Sequence, residues 1–334
     1  MDFKGFFWQK QIDPRDNPGI FILGYTDEGN AYNNLEAWIA PSRGSNLCRF
    51  SVGGKAIIDF EPQLLNVSGD TGTLMLYPTP NRVRDGTFRY RGRDYPQIKR
   101  ANKIMEHGLV RDEGWNFGKA QIEEDSISLR TWINFDDSSP LFEAFPFAHR
   151  LELEFCLMRD GIRVSYTIQN MDDKDIPFGF GLHPYFMKVS GDNGTFVSLH
   201  ARYVMESTPD LLPTGKLLEV DQTPYDLKRE VKIGGLDLDH VFTGVPDGEF
   251  ASIHFSSLAL RVILEATNDF SHLVLYSPAG QAYFCLENQT CSTDAHNLYD
   301  RGFRSESGLK VVKAGQIHAG HVKYSIRKDV GKPS

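Results

Sequence analysis

Residues 150–170 constrain the fold more than any other stretch of this sequence, because apolar and polar side chains alternate on both sides of the pair Asp160-Gly161. The apolar positions are Leu151, Leu153, Phe155, Leu157, Ile162, Val164, Tyr166 and Ile168. A period of two on each arm, with an Asp-Gly pair between the arms, predicts a β-hairpin with one buried face.

Short strands of the same kind recur along the chain, and long helical periodicity is nearly absent. We predict them at residues 36–39, 46–52, 56–60, 74–77, 87–95, 196–200, 229–233, 251–255, 258–266, 272–276, 283–286 and 321–326. Many short strands without intervening helices predict an all-β fold, a large antiparallel β-sandwich with few short helices. Single helical turns are predicted around residues 113–117 and 223–227. No composition break or repeat divides the sequence, so we predict one domain over residues 1–334.

The composition is that of a soluble globular protein, with 40% hydrophobic and 24% charged residues. A formal net charge of −8 argues against nucleic acids and anionic membranes as partners. The first ten residues lack the apolar run of a signal peptide, and no stretch approaches the roughly 18 apolar residues of a membrane-spanning helix. The four cysteines lack metal-ligand spacing, which favours free thiols in a reducing compartment. We therefore expect a cytoplasmic protein.

The stretch Pro-Phe-Gly-Phe-Gly-Leu-His-Pro-Tyr-Phe at residues 177–186 places one histidine among aromatic side chains. His183 is disfavoured in the α conformation because Pro184 follows it, so we expect its ring at the end of an extended segment. Such a histidine is either a core residue with a satisfied hydrogen bond or a functional group. The rest of the chain has to decide between these alternatives.

Three other stretches hold unusual polar residues in apolar or turn-forming surroundings. Arg82 follows two prolines, His107 lies in Glu106-His107-Gly108, and Glu287 ends an apolar strand. Carboxylates, histidines and aromatic faces together suit a small polar ring compound such as a sugar. Taken singly, Glu287 is more typical of a solvated strand edge, and His107 of an ordinary turn residue.

Metal and nucleotide sites are not indicated by the sequence. His318 and His321 are the closest pair of histidines, but they have no neighbouring ligands and lie in a polar turn, so we predict no metal site. The glycine patterns of phosphate-binding loops and dinucleotide-binding turns are absent as well.

The order of the motifs is specific. It runs Asn81-Arg82, His107-Gly108 with Trp115, Gly181-Leu-His183-Pro-Tyr-Phe186, Asp239-His-Val-Phe242, and Leu286-Glu287-Asn-Gln. In this order the sequence resembles the aldose 1-epimerase (galactose mutarotase-like) family. The early segment at residues 39–47 and the late Ala314-Gly315-Gln316 with Tyr324 resemble the ends of that family, so the resemblance covers nearly the whole chain.

The resemblance implies roles for five residues. Glu287 would be the catalytic base and His183 the catalytic acid, while Arg82, His107 and Asp239 would bind sugar hydroxyls. Asp237 is an alternative to Asp239 as the binding aspartate, because residues two apart on an extended strand lie on the same face. The implied partner is a small-molecule sugar, and no cofactor is implied.

Mutarotation fits an acid–base pair of this kind. The proton of the C1 hydroxyl is removed while the ring oxygen gains one, the C1–O5 bond opens to the aldehyde, and closure on the other face follows rotation about C1–C2. Glutamate and histidine can each give or take a proton near neutral pH. We expect Arg82 and His107 to keep Glu287 ionised.

The substrate is left open between a free hexose and a hexose 6-phosphate. The segment His107-Gly-Leu-Val-Arg111 resembles the branch of the family that acts on hexose 6-phosphates, and nine basic residues lie within residues 82–111. Such a basic island could bind a phosphate, or it could be a solvated hairpin. Pro184 departs from the threonine expected in that branch, and a free hexose is slightly favoured. A non-catalytic carbohydrate-binding protein is the alternative of another class.

Overall fold

The computed structural model of the chain describes residues 5–13, 16–59, 71–96, 106–246 and 248–328. Within these ranges the first thirteen strands are β1 (Phe6–Asp13), β2 (Asp16–Tyr25), β3 (Leu35–Ala40), β4 (Asn46–Val52), β5 (Lys55–Ile58), β6 (Thr73–Leu76), β7 (Thr87–Tyr90), β8 (Arg93–Pro96), β9 (Asn116–Phe117), β10 (Gln121–Ile122), β11 (Ser126–Phe135), β12 (His149–Met158) and β13 (Gly161–Asn170). The other thirteen are β14 (Ile176–Phe178), β15 (Gly181–Met187), β16 (Thr195–Leu199), β17 (Tyr203–Ser207), β18 (Pro213–Glu219), β19 (Val231–Lys232), β20 (Leu238–Thr243), β21 (Gly248–Phe255), β22 (Leu260–Ala266), β23 (His272–Ser277), β24 (Tyr283–Gln289), β25 (Lys310–Val312) and β26 (Ile317–Lys328). The α-helices are α1 (Gly191–Gly194), α2 (Ala295–Asp300) and α3 (Arg304–Ser307). Single 3₁₀ turns lie at Ala31–Asn33, Arg84–Gly86, Pro140–Phe142, Val220–Gln222, Ile233–Gly235 and Ser256–Leu258.

Two large sheets contain most of these strands, and the strand pairs within them are antiparallel. The 12-stranded sheet has the order β1-β2-β3-β4-β5-β15-β24-β23-β20-β17-β18, with β6 beside β15. The 10-stranded sheet has the order β10-β11-β12-β13-β26-β22-β21-β16-β19, with β9 beside β11. One large hydrophobic cluster contains buried residues of both sheets. The predicted all-β sandwich with few short helices is confirmed.

The hairpin predicted at residues 150–170 is the pair β12–β13. Its register joins Met158 to Gly161, so the two turn residues are Arg159 and Asp160, one position earlier than the Asp-Gly pair suggested. All eight apolar positions of the two arms are buried. The alternation therefore predicted the buried face correctly, but the sequence placed the turn one residue too late.

The sequence pattern missed several strands and misplaced the helical turns. Strands β1, β2, β11, β17, β18 and β20 were not predicted. Residues 113–117 and 223–227 contain no helix. The first segment contains a bend and the short strand β9, and the second contains a bend and a turn. Phe60, which the pattern assigned to a strand, lies outside the described residues. Within the described ranges no helix has the length and apolar character needed to cross a bilayer.

Strands β15 and β24 lie side by side near the middle of the 12-stranded sheet and carry different residues on their two faces. Leu182 and Phe186 on β15, and Leu286 on β24, belong to the large core. Tyr185 and Cys285 belong to a separate small cluster. Because side chains alternate between the faces of a strand, His183, Tyr185 and Glu287 share the face that points away from the large core.

Candidate active site

The pairing of β15 with β24 brings the two predicted catalytic residues together. The register joins Leu182 to Asn288 and Tyr185 to Cys285, which places His183 opposite Glu287. The distance from His183 Nε2 to Glu287 Oε1 is 3.3 Å, and the two residues are 5% and 2% exposed. The sheet therefore holds an imidazole and a carboxyl group in direct contact, almost out of reach of bulk water.

Burial is the largest influence on the pKa of Glu287. Desolvation raises the pKa of this carboxyl group well above its ordinary value, and the hydrogen bond from Gln289 Nε2 to Oε2, 2.8 Å long, opposes the shift. The charge of Arg82 also lowers the pKa of Glu287, but by less than burial raises it. Our expectation that Arg82 and His107 keep Glu287 ionised is wrong, because desolvation outweighs the neighbouring positive charge.

His183 is held between two other rings. Its ring stacks on Tyr185 with the centroids 4.8 Å apart and the planes 4° apart, and His107 meets it edge-on with centroids 5.0 Å apart. Burial, with a smaller contribution from the charge of Arg111, lowers the pKa of His183 to about 3. The imidazole is therefore neutral near pH 7, and it can act as an acid only after it takes a proton from its neighbour.

His107 reaches the site on a loop that is bonded to the strand end around Tyr77. The backbone N–H of Leu109 donates to the Tyr77 carbonyl at 2.7 Å, and the N–H of His107 donates to the Asn81 carbonyl at 2.9 Å. His107 itself adopts a left-handed conformation, φ 69°, which is uncommon for a residue with a side chain. Burial, with smaller contributions from the neighbouring His183 ring and from Arg111 and Arg82, lowers the pKa of His107 well below its ordinary value.

Gly108 permits this close approach, and its replacement tests how strongly the loop is held. At φ +76° a Cβ atom on Gly108 would lie 2.2 Å from the Tyr77 carbonyl oxygen, whereas at Gly92, also with φ +76°, a Cβ atom would meet nothing within 4 Å. We expect Gly108→Ala to lower the free energy of unfolding by about 2–4 kcal/mol. Gly92→Ala should lower it by only about 1–2 kcal/mol, because it incurs the conformational cost alone. Urea unfolding of both variants measures the difference, and equal losses would show that the contact with Tyr77 does not restrain the loop.

Arg82 connects the loops with the strands of the sheet. Its Nε lies 2.9 Å from Glu106 Oε1, and its Nη1 lies 3.9 Å from Asp239 Oδ2. Both pairs are partly exposed, so they orient the guanidinium more than they stabilise the fold. Arg82 therefore stands between two carboxylates at the rim of the site.

Asp239 lies on β20, where the register joins it to Tyr276 of β23, which is in turn joined to Cys285 of β24. Burial raises the pKa of Asp239, against the lowering effect of Arg82. Asp237 is exposed and precedes β20, so the contact with Arg82 favours Asp239 over Asp237. Arg82, Asp239 and Met205 are among the residues that line a depression with about 360 Å³ of empty space, including its open mouth.

The basic island at residues 82–111 is dispersed by its ion pairs. Arg84 Nε lies 3.6 Å from the buried Asp294, Arg89 pairs with Asp94 and Asp300, and Arg91 pairs with Asp175.

Arg111, with a side chain 14% exposed, lies near enough to lower the pKa values of His107 and His183. Lys99, Arg100 and Lys103 lie outside the described residues. Arg84 is therefore directed to Asp294, whereas Arg82 and Arg111 both lie near enough to His107 to lower its pKa.

The structure thus brings Arg82, His107, His183, Asp239 and Glu287 to one face of the 12-stranded sheet and adds groups that the sequence did not single out. Gln289 could have been found from its spacing, because residues two apart on a strand share a face. Glu106 gave no such signal, because its bond to Arg82 joins two loops whose approach the sequence does not encode locally. In the described ranges no cluster of three or more histidine, cysteine or acidic side chains could hold a metal ion.

The arrangement can exchange one proton between a carboxyl group and an imidazole beside groups that bind hydroxyls. Glu287 and His183 provide the two proton positions. Arg82, His107 and Asp239 provide donors and acceptors around them. Tyr185 and Tyr276 provide aromatic surface, which suits the apolar C–H faces of a sugar.

Comparison with known proteins relates this arrangement to one family and one fold. The family described as aldose 1-epimerase has a sequence model that matches residues 39–325. The uncharacterized protein YihR of Escherichia coli is 25% identical over 248 residues, which are 73% of this chain and 75% of YihR. A galactose mutarotase-like protein from Clostridium acetobutylicum has a TM-score of 0.84 and 21% identity, over 97% of this chain and 99% of that chain. The galactose 1-epimerase of Lactobacillus acidophilus has a TM-score of 0.73 and 16% identity, over 97% of this chain and 98% of that chain.

The two kinds of similarity show different things. At 21% and 16% identity, the solved structures show a common fold and nothing about the substrate of this chain. The family model matches well over half of the sequence, and its range contains all five site residues predicted from the motifs. On that match, this chain belongs to the aldose 1-epimerase family.

Proposed function

We propose that this protein is a mutarotase, an aldose 1-epimerase that interconverts the α- and β-anomers of a hexose by acid–base opening and closing of the pyranose ring. The observation that carries the proposal is the contact of 3.3 Å between His183 Nε2 and Glu287 Oε1, both buried at one face of the sheet. The aldose 1-epimerase family of the chain supports the same reaction.

The distance between the two groups suits the two atoms that exchange protons. In a pyranose the C1 hydroxyl oxygen and the ring oxygen O5 are bonded to the same carbon. A base and an acid that act on them must each lie within hydrogen-bond reach of its own oxygen, and two neighbouring groups can do so.

One shared proton is enough for the cycle. In the reactive form Glu287 is ionised and His183 carries the proton. Glu287 takes the proton of the C1 hydroxyl, His183 gives its proton to O5, and the C1–O5 bond breaks to leave an aldehyde. The pair then holds a neutral carboxylic acid and a neutral imidazole, the form that burial of the two groups favours. Ring closure on the other face of the aldehyde returns both protons, and no electron is transferred.

The groups around the pair support a neutral sugar as the substrate. Arg82 lies between Glu106 and Asp239, so its charge is opposed on both sides before a ligand arrives. A guanidinium in that position is better suited to sugar hydroxyls than to a second strong anion. A hexose 6-phosphate remains the second candidate, because Arg111 lies close to both histidines and could meet a phosphate group.

We further propose the cytoplasm as the compartment. The four cysteines Cys48, Cys156, Cys285 and Cys291 are buried, and none of them forms a disulfide in the described part of the chain. Thiols outside disulfides are typical of a reducing environment.

Polarimetry tests the proposed function. Freshly dissolved α-D-glucose and α-D-galactose should reach their equilibrium rotation faster with the protein than in buffer, and α-D-glucose 6-phosphate should respond less. If only the phosphorylated sugar responds, the substrate assignment moves to the second candidate. If none of the sugars relaxes faster while labelled sugars bind, the protein is a carbohydrate-binding protein and the proposed reaction is wrong.

A further inference from the structure

The two oxygens of the Glu287 carboxyl group have different partners. Oε1 faces His183 Nε2 at 3.3 Å, and Oε2 accepts a hydrogen bond from Gln289 Nε2 at 2.8 Å. Glu287 and Gln289 lie two residues apart on β24, so both side chains extend from the same face of the sheet. Gln289 is completely buried, which removes water as an alternative partner for its amide.

The other end of the Gln289 amide is bound by Asn81. Asn81 Nδ2 donates to Gln289 Oε1 at 3.2 Å and to Thr293 Oγ1 at 3.1 Å. Asn81 and Thr293 are 6% and 4% exposed. Because the Gln289 oxygen is occupied by a donor, its NH₂ group is the end that faces Glu287. This row of hydrogen bonds, from Thr293 through Asn81 and Gln289 to Glu287, therefore directs the N–H donor of Gln289 at the Glu287 carboxyl group.

Asn81 also connects this row to the sugar-binding side of the site. Its carbonyl accepts a hydrogen bond from the His107 N–H at 2.9 Å, and the next residue in the chain is Arg82. The backbone of Asn81 is left-handed, φ 56°, a conformation that asparagine tolerates better than most residues. The Gln289 amide is thus anchored to the loop that positions two of the binding groups.

We propose that Gln289 is a positioning residue for the reaction, and that it holds Glu287 as a hydrogen-bond acceptor, and so as the base, while Asn81 fixes the direction of the Gln289 amide. This inference rests on the proposed function, because it assigns a task to Gln289 within that reaction. Nothing in the contact requires Gln289 to touch the sugar, since its amide is occupied at both ends.

The physical reason is the cost of a buried negative charge. A carboxylate removed from water is strongly disfavoured unless donors replace its hydration. A hydrogen bond to a charged group is stronger than one to a neutral group, so the Gln289 donor stabilises ionised Glu287 more than the protonated form. Without that donor, the shared proton would stay on Glu287 more of the time, and His183 would hold it less.

The test is Gln289→Met, which keeps the length of the side chain and removes the donor. We expect kcat for the hexose to fall by about 10–100-fold with little change in KM, the loss anticipated for one hydrogen bond to a charged group. The alkaline limb of the pH–rate profile should move to higher pH, because the proton of Glu287 becomes harder to remove. A loss of activity that is equal at every pH, with the limb in place, would overturn the proposal in favour of a purely structural role.

A matched control separates this effect from the general loss of a buried hydrogen bond. Ser198 Oγ and Ser252 Oγ lie 2.8 Å apart in the 10-stranded sheet, so Ser198→Ala removes a hydrogen bond in the sheet that does not contain β24. This variant should leave the alkaline limb in place. Gln289→Asn, which withdraws the amide by one methylene but stays polar, replaces Gln289→Met if that variant does not fold, and the same shift of the limb is expected.

A second measurement does not depend on turnover. With ¹³C-labelled glutamate, the Glu287 carboxyl resonance can be assigned by its absence from the spectrum of Glu287→Gln. Its titration should move to higher pH in Gln289→Met than in the wild type, and an unchanged titration would overturn the inference. If the wild type shows no mutarotation but the titration shifts, the proposed function fails while the action of Gln289 on Glu287 stands.

Discussion

Glu287→Gln is expected to lower kcat for hexose mutarotation by about 10²–10⁴-fold, the range that positioned acid–base groups contribute. The amide keeps the size of the carboxyl group and can bond to Gln289, but it can neither accept the C1 hydroxyl proton nor pass one to His183. Because binding groups are untouched, KM should change little. The measurement is the initial rate of optical rotation with wild type and variant side by side, and activity close to that of the wild type would remove Glu287 from the mechanism.

The stability of the same variant provides an internal control for folding. The pKa of Glu287 is raised by burial in the folded state, so the folded wild type holds this proton more tightly than the unfolded chain does. Its stability is therefore greatest below the unfolded pKa of about 4.3 and declines as pH rises through the folded value. Glu287→Gln lacks this decline and should therefore be more stable than the wild type at pH 8. The difference should shrink towards pH 4.5, and a variant less stable at pH 8 would contradict the assigned burial cost.

His183→Asn should also lower kcat by about 10²–10⁴-fold, because asparagine cannot carry the proton that O5 needs. The stack on Tyr185 and the edge contact with His107 would be lost as well, so part of the fall reflects positioning. His254→Asn, which removes a histidine of the 10-stranded sheet that pairs with Glu230, should leave kcat unchanged. An effect confined to KM in His183→Asn would make His183 a binding residue instead of the acid.

The pH dependence of the wild type distinguishes a shared proton from two independent groups. The reactive pair holds one proton, and a second proton would have to enter His183, whose pKa burial lowers to about 3. At saturating sugar, kcat should therefore stay nearly constant as the pH falls from 6.5 to 4.5. An ordinary histidine, with a pKa near 6.5, would take up a proton over this range. A loss of kcat centred near pH 6.5 would show that His183 titrates independently of Glu287.

The alternation of side chains carried most of what the sequence revealed about the fold. It predicted β12 and β13 and their buried face because both arms keep a strict period of two over ten residues. Strand β18 was missed because Pro213 and Gly215 weaken the sequence pattern of a strand. In the structure this segment is a strand that pairs with β17. One hydrophobic cluster spans both sheets and supports the predicted single domain, which stays a prediction for residues 1–334 as a whole.

The candidate site was predictable to the extent that its residues belong to short local motifs. His183 and Glu287 were found in this way, and so were the loops that contain Arg82 and His107. Their ionisation was not predictable, because it depends on how deeply the pairing of β15 and β24 buries the two groups. The bond between Glu106 and Arg82 was missed for a related reason, since it exists only where two loops approach each other.

The pleat of β15 and β24 has a consequence for how such a protein can diverge. Leu182 and Phe186 pack into the large core, whereas His183 and Tyr185 extend from the opposite face of the strand, so a point mutation on one face leaves the other face intact. Substitutions that change substrate preference can then accumulate during evolution without destabilising the hydrophobic core. An insertion or deletion of one residue would exchange the two faces and destroy both properties at once. Selection should therefore tolerate many substitutions in these strands but hardly any change in their length.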